Sequence, residues 1–146
     1  MEITSYASDT VAAAGTRFSL VLDITPGPKI HVYAPGVQGY KPIGLSIQPQ
    51  PGLVLRETHY PESEEYFFAP LNERVRVFQR PFRIAQDVVL DPSRAAQTAL
   101  AGKTSLTIAG TLNYQACDDK VCFMPQTVPL SWTIAVKPLD RERVKR

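Results

Sequence analysis

Thirteen prolines and eight glycines cut this 146-residue chain into pieces too short for long helices. Between the breaks the apolar residues recur with a period of two, as half-buried strands require. In Arg17–Ile24, residues Phe18, Leu20, Leu22 and Ile24 share one face. Lys29–Tyr33, Ile43–Ile47, Leu53–Thr58, Arg74–Phe78 and Pro81–Ala85 read as further short strands. Two late segments carry the clearest pattern. Leu106, Ile108 and Leu112 share a face in Ser105–Leu112; Val128, Leu130, Trp132, Ile134 and Val136 share one in Val128–Val136. About eight short antiparallel strands with frequent turns predict an all-β sandwich. Asp91–Leu100 is read as a short helical turn capped by Ser93, or a loop. Residues 59–72 mix acids, aromatics and prolines without a period and read as a loop.

The length fits one domain, taken as residues 1–140, with 141–146 as a basic tail or the start of a linker. With 44% hydrophobic and 21% charged residues, the chain can build a core without a disulfide staple. A net charge of +2 points to neither nucleic acid nor an anionic membrane as partner. No apolar run approaches the ~18 residues of a membrane span, and no signal-peptide pattern opens the chain.

The only two cysteines, Cys117 and Cys122, lie in Tyr114–Pro125, between the two clearest strands. Their number and spacing allow one intrachain disulfide with no thiol left over. A ring of about six residues stabilises by only ~2 kcal/mol on the chain-entropy model. A pair placed for stability would span a longer loop, so this one reads as a bridge that opens and closes. A stable disulfide also implies an oxidising compartment such as the periplasm. The core faces on both sides of the pair are even-numbered, whereas 117 and 122 sum to an odd number. An opposed cysteine pair therefore requires an irregularity in the ladder, placed at Met124-Pro125, where proline cannot donate. Asp118 and Asp119 disfavour a thiolate at Cys117, and Lys120 opposes them in part. A passive hairpin clip remains the other reading of the pair.

Tyr114-Gln115-Ala116-Cys117-Asp118-Asp119-Lys120-Val121-Cys122-Phe123-Met124-Pro125, followed by Thr127-Val128-Pro129-Leu130, resembles the N-terminal periplasmic domain of the DsbD-type transmembrane thiol:disulfide reductases. Lys29-Ile30-His31-Val32-Tyr33 is similar to that family's early His-x-Tyr strand. Met124 stands where the family usually has a first proline. The resemblance implies an immunoglobulin-like sandwich with the cysteine pair on a hairpin near one end. It implies a protein-disulfide reductase activity in which Cys117 and Cys122 take electrons from a thioredoxin-like donor and pass them to periplasmic acceptor proteins. Cys122 is the cysteine that the resemblance joins to partners, with Cys117 as the resolving thiol. It also implies an aromatic cap over the disulfide, for which residues 60–71 are the candidate, with Phe67 or Phe68 as the covering ring. The membrane and thioredoxin-like domains of the full reductase are not in this sequence. The domain is thus expected not to be membrane-inserted itself, but fused to a transmembrane reductase or working with one.

Other residues have blander readings beside functional ones. Phe123 offers an apolar docking surface next to Cys122. Tyr114 either positions the thiol or packs in the hairpin. His31 and His59 with the two cysteines lack the paired spacing of zinc ligands, so no metal is expected, and no cofactor. His31 reads as a structural strand histidine and Trp132 as core. The alternative to a redox carrier is a non-catalytic β-sandwich interaction module with a structural hairpin disulfide.

Overall fold

The computed structural model of the chain describes residues 1–137. Its strands, in order, are β1 (Glu2–Ala7), β2 (Val11–Ala12), β3 (Arg17–Thr25), β4 (His31–Tyr33), β5 (Gly44–Ile47), β6 (Leu53–His59), β7 (Glu64–Phe68), β8 (Glu73–Phe78), β9 (Phe82–Leu90), β10 (Ser105–Tyr114), β11 (Ala116–Cys117) and β12 (Gln126–Val136). A 3-10 turn, Ala69–Leu71, joins β7 to β8, and the helix α1 (Arg94–Leu100) joins β9 to β10. Ser93 caps that helix, its hydroxyl accepting from the Ala96 N–H at 3.2 Å. The predicted tail at 141–146 lies outside the described residues.

Two four-stranded sheets, β1-β3-β9-β6 and β2-β12-β10-β5, enclose the main core. Pairing is antiparallel apart from the short β12–β2 contact. The predicted alternating faces supply that core: Phe18, Leu20, Leu22 and Ile24 from β3, Leu106, Ile108 and Leu112 from β10, Trp132 and Ile134 from β12. This is the immunoglobulin-like antiparallel sandwich the sequence implies. Trp132 stands opposite Ile108 across the ladder. Gly110 makes room beside it, because a Cβ there would fall 2.7 Å from the Ser46 carbonyl oxygen and 3.3 Å from the Trp132 ring.

The cysteine-bearing segment belongs to a third sheet, β11-β4-β8-β7. β4 is buried on both faces, as is the end of β8 at Val77 and Phe78. Val32 of β4 and Phe78 of β8 point into the main core, whereas Tyr33, Val77 and Cys117 form a second, small cluster. Period-two alternation divides neighbouring residues between the two clusters in this way.

Residues 59–72 are not a loop throughout: Glu64–Phe68 form β7, paired residue for residue with β8 from Glu64↔Val77 to Phe68↔Glu73. Its sequence has no hydrophobic alternation, and the strand is held by its partner's backbone. Tyr60, just before it, is tied to the sandwich by its hydroxyl, which accepts from the Leu45 N–H at 3.1 Å.

Candidate functional site

β10 and β12 keep one register from Leu106↔Ile134 to Tyr114↔Gln126. Beyond that point the ladder slips. Phe123 N–H donates to the Ala116 carbonyl at 2.9 Å, and Cys117 stands opposite Cys122. Met124 and Pro125 together therefore face Gln115 alone, the two-against-one count of a β-bulge. The slip is the one required by the parity of the cysteines, at the expected residues. Gln115 fills the gap: its side-chain amide donates to the Phe123 carbonyl at 3.2 Å and accepts from the Lys41 N–H at 3.3 Å. The chain then leaves β10, and β11 pairs with β4, placing Cys117 beside His31.

Cys117 and Cys122 form a disulfide across a tight turn. Asp118 organises that turn. Its Oδ1 accepts from the Lys120 and Val121 N–H groups, both at 2.7 Å, and its own N–H donates to the Val121 carbonyl at 2.9 Å. These backbone donors hold the Asp118 carboxyl below the usual range. The two sulfurs occupy different surroundings. Cys117 is 1% exposed inside the second cluster, whereas Cys122 is exposed. Val121, Phe123 and Met124 beside it are exposed too, Met124 by 80%. An apolar rim thus surrounds one accessible sulfur.

Behind Cys122 lies a cavity of about 150 Å³. Its walls include His31 and Tyr33 of β4, Tyr40, Tyr66 and Phe68 of β7, and Glu73 of β8. Tyr33 stacks on Tyr40 with centroids 4.2 Å apart, and His31 lies 4.2 Å from the Tyr66 ring. Burial pushes the Tyr33 phenol far above its ordinary value, with Tyr40 and Glu73 adding to the shift. Burial also pushes His31 down from 6.5, opposed by the charge of Asp118.

The candidate supporting residues fall in different places. Phe68 lines the cavity with Cys122. Phe67 does not cover the disulfide. One residue along a strand reverses the side chain, so Phe67 faces away, 45% exposed, with the Arg74 guanidinium 4.8 Å from its ring. Tyr114 packs against the main core rather than on the cysteines. Phe123 lies at the exposed rim. Tyr40 and Glu73 have no signal in the sequence, and Tyr66 lies within the candidate cap segment without being singled out. For Tyr33 the signal was there, since it shares a strand face with His31.

A second polar group lies away from the cysteines. Ser19 Oγ donates to Asp87 at 2.8 Å and His59 Nε2 sits 2.7 Å from the other carboxylate oxygen. The carboxylate is in the middle, so no imidazole faces the hydroxyl to activate it.

The family model described as "Thiol:disulfide interchange protein DsbD, N-terminal" matches residues 4–131. The chain belongs to this family. Thiol:disulfide interchange is accordingly the chemistry of the family, and this chain carries a disulfide, Cys117–Cys122. A search of the curated proteins gives no match. Among solved structures, the chain is similar to the N-terminal domain of DsbD from Neisseria meningitidis in the reduced form. Identity is 19%, coverage 88% of this chain and 86% of that one, and the TM-score 0.45. Among the described residues no helix is long and apolar enough to cross a membrane.

The titration directions yield a test of the fold around the site. The unfolded chain protonates His31 near 6.5, and the folded chain resists. Stability contributed by neutral His31 is therefore present above about 6.5 and lost as pH falls below it. Asp23, Asp87 and Asp118 are held below 3.8, so their contribution persists until pH falls through the acid range. Urea midpoints are expected to fall in two separate steps with decreasing pH. His31→Gln should remove the upper step, and an unaltered upper step would assign it elsewhere.

Proposed function

We propose that this chain acts as one periplasmic protein-disulfide reductase domain, taking two electrons from a thioredoxin-like donor and delivering them to oxidised acceptor proteins. The observation that carries this reading is the asymmetry of the pair: one sulfur enclosed, its partner exposed within an apolar rim. In the delivering direction, Cys122 thiolate attacks an acceptor disulfide, forming a mixed disulfide and expelling one acceptor thiolate. Cys117 then attacks Cys122 Sγ, which restores the Cys117–Cys122 bond and releases the acceptor's second thiolate. Reloading runs the same steps backwards. A donor thiolate attacks Cys122, Cys117 leaves as the thiolate, and the donor's second thiol resolves the complex. Val121, Phe123 and Met124 supply the docking contact, and Phe68 covers the cavity side of the bridge as a lid.

Mixing the oxidised chain with a reduced thioredoxin-fold protein tests the carrier role. Rapid equilibration of thiols between the two native proteins is expected. A bridge that stays oxidised until the chain unfolds would establish a structural clip instead. In the same assay Phe68→Ala should speed oxidation of the reduced chain by small oxidants, and Phe67→Ala should not.

A further inference from the structure

The wall of the cavity contains a continuous polar path to the exposed sulfur. His31 Nε2 lies 3.3 Å from the Tyr33 hydroxyl, and that hydroxyl lies 3.8 Å from Cys122 Sγ. Both contacts are made from one face of β4, two residues apart, and His31 is only 2% exposed. A buried imidazole could be satisfied by any backbone carbonyl. This one instead meets a hydroxyl whose other neighbour is the reactive sulfur.

We infer that His31, acting through the Tyr33 hydroxyl, is the proton acceptor for Cys122 when the pair is reduced, so that Tyr33 is a catalytic residue and His31 the positioning residue behind it. The inference rests on the reading of Cys122 as the sulfur that attacks partners. In the reduced chain the Cys122 thiol donates to Tyr33 Oη, whose own hydrogen points to His31 Nε2. As the thiol ionises, its proton passes to Oη while the Tyr33 proton passes to Nε2. The products are a Cys122 thiolate, a neutral Tyr33 now donating to that thiolate, and a His31 imidazolium. No proton is gained or lost, and no electrons move. When the mixed disulfide resolves, the leaving partner thiolate can recover a proton by way of solvent and His31 returns to neutral.

The surroundings suit each role. Tyr33 is held as the neutral phenol by burial, so it can relay a proton without ionising. Burial keeps His31 neutral in the oxidised chain and opposes the imidazolium, so the relay depends on the negative charge of the new Cys122 thiolate and of Asp118 to hold the proton there. The charged groups around it are mixed. Asp118 and Asp119 on the cysteine turn favour an imidazolium, with Asp119 lining a second cleft beside His31. Lys29 and Arg80 line that same cleft, and Lys120 lines the Cys122 cavity, all three opposing it. Tyr66 lies tilted against the ring, and Tyr40 stacks on Tyr33. Glu73 is the rival acceptor. Its Oε1 is buried in the same wall without a hydrogen-bond partner, although no contact connects it to Cys122.

The test measures alkylation of Cys122 by iodoacetamide against pH in a Cys117→Ala background, where it is the only thiol. Partner exchange is not involved, so this result is independent of whether Cys122 is the partner-facing cysteine. Tyr33→Phe is expected to raise the apparent Cys122 pKa by about one unit, slowing alkylation at neutral pH about tenfold. His31→Gln should slow it in the same direction, and the double variant should be no slower than Tyr33→Phe alone. Glu73→Gln removes a carboxylate near the sulfur and should leave alkylation unchanged or faster. Slowing by Glu73→Gln equal to that of Tyr33→Phe would overturn the relay, as would an unchanged profile in both relay variants. Should those variants not fold, the unmodified chain decides. The His31 ring signals by NMR should titrate differently in the reduced and oxidised forms, and identical titrations would end the proposal.

Discussion

A reduced Cys117→Ala variant mixed with an oxidised thioredoxin-fold protein should accumulate a near-stoichiometric mixed disulfide, and a Cys122→Ala variant should accumulate almost none. Thiol–disulfide exchange needs the attacking sulfur, the attacked sulfur and the leaving sulfur in line, which demands open space along the axis. Cys117 has none, being 1% exposed among Tyr33 and Val77. Its neighbours Asp118 and Asp119 further disfavour its thiolate. Cys122 faces solvent within the rim of Val121, Phe123 and Met124. Removing Cys117 takes away the thiol that would release the partner, so the complex persists. Non-reducing electrophoresis reads both variants in one experiment. Equal trapping would remove the assigned roles.

The parts of this arrangement legible in the sequence are those governed by local alternation. β3, β10 and β12 carry strong period-two faces; the odd sum of the cysteine numbers required an irregularity, and the missing donor of Pro125 placed it at Met124-Pro125. β1 and β7 escaped notice because tertiary pairing makes them. β1 is an edge strand, mostly exposed, aligned on β3. β7 is aligned on β8, and that pairing decides which of two adjacent phenylalanines faces Cys122. Without knowing that residues 64–68 are extended, Phe67 and Phe68 are equivalent. Tyr40 and Glu73 reach the cavity from a loop and from β8, far from the cysteines in sequence, and no local pattern marks them. The buried contact of His31 with Tyr33 was half-visible, as an i,i+2 pair on a strand, but only the third sheet brings it against Cys122.

Reducing the bridge should leave the sandwich folded, with a loss of about 2 kcal/mol from the six-residue ring. Trp132→Ala should cost more, about 3–5 kcal/mol, the range for emptying a large aromatic site in a core. The reason is where each group sits. Trp132 is buried in the main core opposite Ile108 and against Gly110, so truncating it empties a large apolar volume. Cys117 belongs to the second cluster and Cys122 to the exposed rim, and neither lies in the strands that pair across the main core. A carrier has to satisfy this ordering, because its fold must survive both redox states of every cycle. Urea unfolding of the oxidised chain, the reduced chain and oxidised Trp132→Ala gives the comparison directly. If reduction proves more costly than Trp132→Ala, the bridge is part of the fold, and an exchangeable role for it would no longer stand.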